Sequence, residues 1–415
     1  MPIELGRNAP AQTVSARTLA VCPCCGNRGF ERLIDFGSVP ISGWFRSDPR
    51  EPAPSAELAF DLCNSCGLVR QLPGAAPRDY GATTRSTAKQ FPAYGQALIE
   101  RLASLGVGPN DLIVDVGSND GVFLDALRTA GFSRLVGVEP SRQLADSARA
   151  RGLRVENDYF GPHLVPDLLG AHGPARAIVC RHTLEHVPDP AAFVPALRDC
   201  LAPEGGVALL EVPDGAAIPD LMNVYEFWDE HLYCFCAENL ARLLDRVGMP
   251  AFDAQVQPHL ETRNLLLWCG RGRARAPEIG ADRDCVALWR GLPARWAEFR
   301  ERFGAALRDA RRPIYLIGGS HSQYNIANYA GIGRFVDHLI DDDPAKLGGF
   351  PPILGASPSI ISTARFESSA RSGTVLITGF GYAKWTARIC GHAAKHGMQR
   401  IDPRDFIPAA SKDGV

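Results

Sequence analysis

No apolar stretch of this 415-residue chain approaches the roughly 18–20 residues that a membrane-crossing helix needs. Its opening, Met-Pro-Ile-Glu-Leu-Gly-Arg-Asn, lacks the apolar centre of a secretory signal, so a soluble, cytoplasmic protein is expected. An excess of charge is missing too: 44 Lys and Arg face 46 Asp and Glu, for a net charge of −2. That balance gives no global attraction to nucleic acid or membrane, and neither is expected as a partner. The twelve cysteines show no disulfide-framework spacing. Those at 180, 200, 234, 236, 269, 285 and 390 are scattered and read as buried thiols. With 46% hydrophobic and 22% charged residues the chain is globular, and its length predicts two to four domains.

Four cysteines are organised differently. Cys22-x-x-Cys25 and Cys63-x-x-Cys66 bracket a turn-rich segment, with Cys24 wedged inside the first pair. A two-residue gap lets both thiolates of a knuckle reach one ion at about 2.3 Å, and two knuckles close a tetrahedron. Sulfur would fill every position and leave none for water, which predicts structural zinc. Spacing alone does not choose zinc over iron. A segment of about 50 residues buries too little core to hold without such a staple.

From about residue 91 onward, apolar strands alternate with amphipathic helices. Strands are expected at Leu112–Val116, Arg134–Val138, Ala177–Cys180 and Val207–Glu211, with helices at Val122–Ala130, Ser141–Arg151 and Ala191–Cys200. This pattern implies a parallel sheet covered on both faces. Residues 270–312 read as a helical linker ending at Pro313. A second strand–glycine–helix unit, Pro313-Ile-Tyr-Leu-Ile-Gly-Gly-Ser-His-Ser, then opens a smaller α/β domain with strands at Val336–Asp341 and Thr374–Thr378.

The first strand of the alternation runs into Asp115-Val-Gly117-Ser118-Asn119-Asp-Gly121. Glycines at 117 and 121 allow a ligand to approach the backbone at a helix N-terminus. The spacing is not the dinucleotide GxGxxG, and no Walker lysine follows, so a triphosphate is disfavoured. The second strand ends at Glu139-Pro140, where a carboxylate accepts hydrogen bonds from both ribose hydroxyls. Asn157-Asp158 follows the third strand, where an acidic residue meets an adenine amine. The Cys180–Asp189 loop carries His182, Glu185 and His186, which have metal-ligand chemistry and helical spacing. His182 and His186 read better as closing over the methionine end of a cofactor. Together these features resemble the class I S-adenosylmethionine methyltransferases.

A third cluster is Glu226-Phe-Trp228-Asp-Glu230-His231-Leu-Tyr233. His231 could remove a proton near neutral pH, and Glu230 could orient it or bind a sugar hydroxyl. The blander reading is a polar helix start with His231 bonded to a backbone carbonyl.

The whole set, over roughly residues 20–410, resembles the nucleotide-sugar C-methyltransferases, which make branched deoxysugars for antibiotics and surface polysaccharides. The resemblance implies an α/β chain in three parts. They are a four-cysteine zinc module over 1–80, a class I Rossmann-like methyltransferase domain over 81–268, and a helical linker with a C-terminal Rossmann-like substrate domain over 269–415. It also implies S-adenosylmethionine, structural zinc and a dTDP-linked keto-sugar. His231 would be the base that forms an enolate, with Glu230 beside it and Tyr80 as a further catalytic residue. Trp228, Tyr233 and Arg263 would contact substrate. His321, Tyr324 and Lys346 are wall candidates from loop position.

Trp228 stands where the family carries tyrosine, and Asp79-Tyr80-Gly-Ala82 keeps one of two tyrosines. Gly318-Gly-Ser-His-Ser-Gln323 replaces a Gly-Ala-x-x-Lys-Gly loop, and of a Gly-Gly-Ser-x-Arg stretch only Arg263 remains. A monomer or weak homo-oligomer is expected. Other readings share the scaffold: enolate chemistry such as isomerisation without methyl transfer, methylation of a different small substrate, and a nucleotide-sugar-binding protein that has lost catalysis.

Overall fold

In the computed structural model, residues 21–72, 92–259, 262–279, 284–378 and 383–408 are described. The N-terminal sheet is antiparallel, built from β1 (Phe30–Pro40), β2 (Ser55–Cys63) and β3 (Val69–Gln71). Period-2 alternation in β2 puts Leu58, Phe60 and Leu62, all fully buried, on one face. A fourth strand, Tyr233–Cys234, comes from far along the chain and pairs with β3.

The central sheet holds β4 (Leu112–Val116), β5 (Arg134–Val138), β6 (Val155–Glu156), β7 (Ala177–Arg181) and β8 (Val207–Pro213). With Tyr233–Cys234 as β9, a hairpin of β10 (Ala251–His259) and β11 (Thr262–Gly270) completes it. The order is β10-β11-β8-β7-β4-β5-β6. β4 to β8 pair in parallel, and β11 runs antiparallel to both of its neighbours. All five residues of β4 are buried, as expected for a strand with helices on both faces. β4 lies between β5 and β7, so the chain leaves it in opposite directions. This opens a crevice at the strands' carboxyl ends.

The third sheet is all parallel: β12 (Ile314–Ile317), β13 (His338–Ile340), β14 (Ser359–Ile361), β15 (Thr374–Leu376) and β16 (Gln399–Ile401), in the order β14-β13-β12-β15-β16. Ahead of it, residues 271–279 are irregular, and helices follow at Cys285–Arg290 and Leu292–Arg308. The longer helix buries Trp296, Phe299, Phe303 and Leu307, an i, i+3, i+7 stripe along one side.

The N-terminal sheet is packed on two sides. Cys22, Cys66 and Leu68 share a core with Val212, Phe235 and the helix Ala237–Arg246 of the central unit. Leu33, Phe60 and Val69 share another with Trp289, Phe303, Leu316 and Tyr324. No helix among the described residues is long and apolar enough to cross a membrane.

Candidate active site and metal centre

The four cysteines converge. Cys22 Sγ lies 3.6 Å from Cys66 Sγ, and Cys25 Sγ lies 3.6 Å from Cys63 Sγ, so each contact joins one knuckle to the other. All four sulfurs fall within 4.8 Å of one another. A tetrahedral ion with sulfur at about 2.3 Å has S···S edges of about 3.8 Å, whereas a disulfide needs about 2.05 Å. The set therefore fits zinc. Each knuckle is closed by the next glycine: Gly26 N–H donates to Cys22 O at 2.9 Å and Gly67 N–H to Cys63 O at 3.0 Å.

At the crevice beside β4 the backbone turns through left-handed conformations at Gly117 (φ 75°), Asn119 (φ 53°) and Gly121 (φ 80°). A Cβ at Gly117 would come within 2.2 Å of Thr183 Oγ1, and one at Gly121 within 2.9 Å of Ala148 Cβ, so side chains are excluded there. Ser118 Oγ is buried with no hydrogen-bond partner, a polar atom a ligand could satisfy. Asp115, at the end of β4, is pushed up to about 7 by burial, with Arg181 opposing and Glu139 adding to the rise. Glu139 Oε2 accepts from Asn119 N–H at 2.9 Å and Oε1 from Ser141 N–H at 2.8 Å, which fixes the carboxylate at the crevice. Asn157 Nδ2 donates to the carbonyls of Glu139 and Pro140, both at 2.9 Å, and ties adjacent strand ends together. Asp158 is exposed, 3.4 Å from His163.

Replacing Glu139 by alanine is expected to weaken S-adenosylmethionine binding by about 1–3 kcal/mol, read by calorimetry. Unchanged affinity would remove the ribose assignment.

Beyond β7 the backbone enters a left-handed residue, His182 (φ 46°). Its Nε2 lies 3.0 Å from Glu211 Oε1 and its Nδ1 3.5 Å from Glu185 Oε1. Arg181 Nε donates to Glu211 Oε2 at 2.6 Å, and Asn264 Nδ2 to Glu211 Oε1 at 2.8 Å. Burial alone would lower the His182 pKa, but its bonds to Glu185 and Glu211 outweigh that and raise it to about 10. Burial pushes Glu211 up, yet His182 and Arg181 prevail and bring it to about 2. His182 lines the cleft, surrounded by protein while 38% of its side chain stays open to solvent.

The sign of the pH effect follows. His182's contribution is complete below about 6.5 and lost as pH rises through about 10; Glu211's is complete above about 4.5 and lost as pH falls through about 2. Glu211→Gln should therefore destabilise by about 3 kcal/mol, the low end for a broken buried pair because His182 is partly solvated. In denaturant melts the gap should be widest between about pH 4.5 and 6.5. A gap independent of pH would discount the ion pair.

All three units pin the segment 226–232. Tyr329 Oη donates to Phe227 O. Gln71 Nε2 donates to Trp228 O at 3.5 Å and Gln71 N–H to Leu232 O at 2.8 Å. Leu232 N–H donates to Glu185 O at 2.8 Å, and Ser42 N–H to Asp229 Oδ1 at 3.2 Å. Inside this frame His231 Nδ1 sits 2.9 Å from Glu226 O, and His186 Nδ1 2.7 Å from Glu230 O. A carbonyl only accepts, so each Nδ1 carries a proton, and the lone pair of a neutral ring is then on Nε2. Burial first, then the neighbouring His186 and His321, hold His231 well below the ordinary histidine range. Glu226 is pushed up to about 7 by burial, with His182 opposing and Glu185 adding.

The cluster thus gathers His186, Trp228, Glu230, His231 and His321. Trp228 stacks on His321 with ring centroids 4.4 Å apart and meets His231 edge-on at 5.1 Å. Other wall candidates have partners of their own. Arg263 pairs with Asp214 (3.0 Å) and Asp220 (2.7 Å), and Lys346 with Asp341 (3.0 Å). Tyr324 Oη accepts from Gly43 N–H at 2.6 Å, and Tyr233 Oη donates to Pro188 O at 3.2 Å. Tyr80 lies outside the described residues. Glu211, Arg181 and Asn264 were not singled out from sequence. The signal for Glu211 was a lone carboxylate inside the apolar run Val-Ala-Leu-Leu-Glu-Val.

Residues 88–250 match the family described as Methyltransferase domain. The central unit is a methyltransferase domain. Its sheet, with the last strand reversed and inserted between β8 and β10, has the class I Rossmann-like order. The methyltransferase domain is similar to curated enzymes. C-methyltransferase NovU of Streptomyces niveus is 27% identical over 249 residues, 57% of this chain and 57% of that protein. The ubiquinone biosynthesis O-methyltransferase of Xylella fastidiosa (strain 9a5c) is 36% identical over 96 residues, 22% of this chain and 38% of that one. The chain thus spans little more than half of the first relative's length and less of the second's. Among solved structures, magnesium protoporphyrin IX methyltransferase from Synechocystis PCC 6803 is 15% identical. That match covers 47% of this chain and 88% of that one, at a TM-score of 0.34, too low a likeness to build on. The methyltransferase domain supports S-adenosylmethionine as its cofactor, and the four-cysteine cluster is compatible with zinc.

Proposed function

We propose that the protein transfers a methyl group to the carbon α to a ketone of a nucleotide-linked, dTDP-type deoxysugar. Bound S-adenosylmethionine supplies the methyl group on a positively charged sulfur. Asp115, Gly117, Ser118, Asn119, Gly121, Glu139, Asn157 and Asp158 are assigned to hold it. His182 and His186 are assigned beside its methionine end.

One observation carries the reading. The Nδ1–H of His231 is occupied by Glu226 O, so the basic lone pair is on Nε2, in a buried ring framed by Trp228 and His186. His231 Nε2 takes the α proton, and the electron pair left behind makes the carbon nucleophilic. Burial keeps the ring neutral and ready to accept. Trp228 over His321 offers a flat apolar wall, and Glu230 a carboxylate for a sugar hydroxyl. The resemblance of the glycine loop and the Glu230-His231 pair to sugar C-methyltransferases supports this substrate class, as does the C-methyltransferase relative. The division into a zinc module, a methyltransferase domain and a substrate domain is part of the same proposal.

Mass spectrometry of the protein incubated with S-adenosylmethionine and a panel of dTDP-4-keto and 3-keto sugars tests it. The expected product is heavier by one methylene, about 14 Da, with S-adenosylhomocysteine released. Solvent deuterium entering the α carbon without methyl gain would overturn methyl transfer in favour of isomerisation. A methyl group found on oxygen would overturn C-methylation.

A further inference from the structure

Beside the base lies a carboxylate that the proposed reaction does not use. Glu185 is 1% exposed, and His182 Nδ1 stands 3.5 Å from its Oε1. A buried carboxylate is costly unless positive groups face it, and a bound cation would add to its pairing with His182. The 3₁₀ turn Leu184–His186 carries it into the cluster, where one ligand atom each from Glu185, His186 and His231 lies within 4.8 Å of the others. Glu185 Oε1 is 3.9 Å from His186 Nε2.

Both imidazoles are oriented as metal-ligating histidines usually are. Each donates Nδ1–H to a backbone carbonyl, at 2.7 Å for His186 and 2.9 Å for His231, which fixes ring and tautomer and aims the Nε2 lone pair. A tetrahedral ion with ligands at about 2.1 Å needs donor separations of about 3.4 Å, so side-chain shifts of about an ångström close the set.

We propose that Glu185, His186 and His231 form a second metal site, separate from the four-cysteine centre, that binds a divalent transition ion such as Zn²⁺, Co²⁺ or Ni²⁺. Two imidazoles and a carboxylate select these borderline ions over Mg²⁺ or Ca²⁺, which prefer all-oxygen sets. An ion on His231 Nε2 occupies the lone pair that would take the substrate proton, so the ion inhibits methyl transfer. That inhibition rests on the proposed role of His231; the binding does not.

The test adds Co²⁺ to the full-length, zinc-loaded protein and reads metal content and visible absorption. Wild type is expected to take up one further equivalent with weak bands typical of nitrogen and oxygen ligands, without intense sulfur-to-cobalt charge transfer. Glu185→Gln and His186→Gln should each bind that equivalent at least about tenfold more weakly, while retaining the zinc. Wild type taking up no further ion, or both variants taking it up unchanged, overturns the site. If one variant fails to fold, the other and the wild-type spectrum decide. In a parallel assay, methyl transfer should fall with occupancy and recover on mild chelation. Full occupancy with undiminished transfer would keep the site and overturn His231 as the base.

Discussion

His231→Ala is expected to lower turnover by about 10²–10⁴-fold while changing S-adenosylmethionine affinity by less than about threefold. The split follows from where the ring sits. His231 is held by Glu226 O and framed by Trp228 and His186, whereas the crevice proposed for the cofactor is built by Gly117, Asn119, Gly121 and Glu139 on other elements. Alanine removes the Nε2 lone pair and leaves that crevice untouched. The carbon next to a ketone is a poor nucleophile until its proton is gone, so a missing base reduces kcat rather than binding. Turnover and calorimetric affinity on the same preparation check this, and wild-type turnover would remove His231 as the base. Burial holds His231 below the ordinary histidine range, so the acid limb of kcat assigned to it should fall below pH 6.5, with the base neutral above.

Stripping the metal from the four cysteines, by strong chelation or by Cys63→Ser, is expected to abolish methyl transfer although no sulfur belongs to the proposed reaction. Structural zinc contributes about 10–16 kcal/mol in isolated zinc peptides, as much as the whole stability of an ordinary domain. The N-terminal sheet reaches the site directly. β3 pairs with Tyr233–Cys234, and Gln71 bonds to Trp228 O and Leu232 O on either side of His231. Loss of the knuckles frees β3 and with it the frame around the base. Metal content, Tm and activity should fall together, with Tm lower by at least about 10 °C. Metal-free protein with full activity would show that the four-cysteine centre and the proposed base are independent.

Much of the frame was legible from local signals. The apolar run at Leu112–Val116 became β4 because a strand buried on both faces is written as a continuous hydrophobic stretch, and Arg134–Val138 became β5, buried over its last three residues. The β10–β11 hairpin was not anticipated. Its first strand, Ala-Phe-Asp-Ala-Gln-Val-Gln-Pro-His, mixes polar residues with a proline, as an edge strand allows but a βα alternation does not suggest. The two-residue strand Tyr233–Cys234 was equally hidden. Its partner β3 lies more than 160 residues earlier, and nothing local marks such a pairing.

By itself the sequence determined which chemistry was on hand: four thiolates at knuckle spacing, a glycine turn after a buried strand, an acid at the end of the next strand, and a Glu-His pair among aromatics. These are decided by neighbours within a few residues, where backbone geometry and side-chain type are enough. Only the tertiary structure decided which His231 nitrogen is basic, because that depends on a carbonyl five residues back being turned toward the ring. Tertiary structure alone also placed Glu185 beside His182, His186 and His231, and Glu211 between Arg181 and His182. Burial and charge pairing are sums over everything packed around a group, and in this chain that packing comes from three separate sheets.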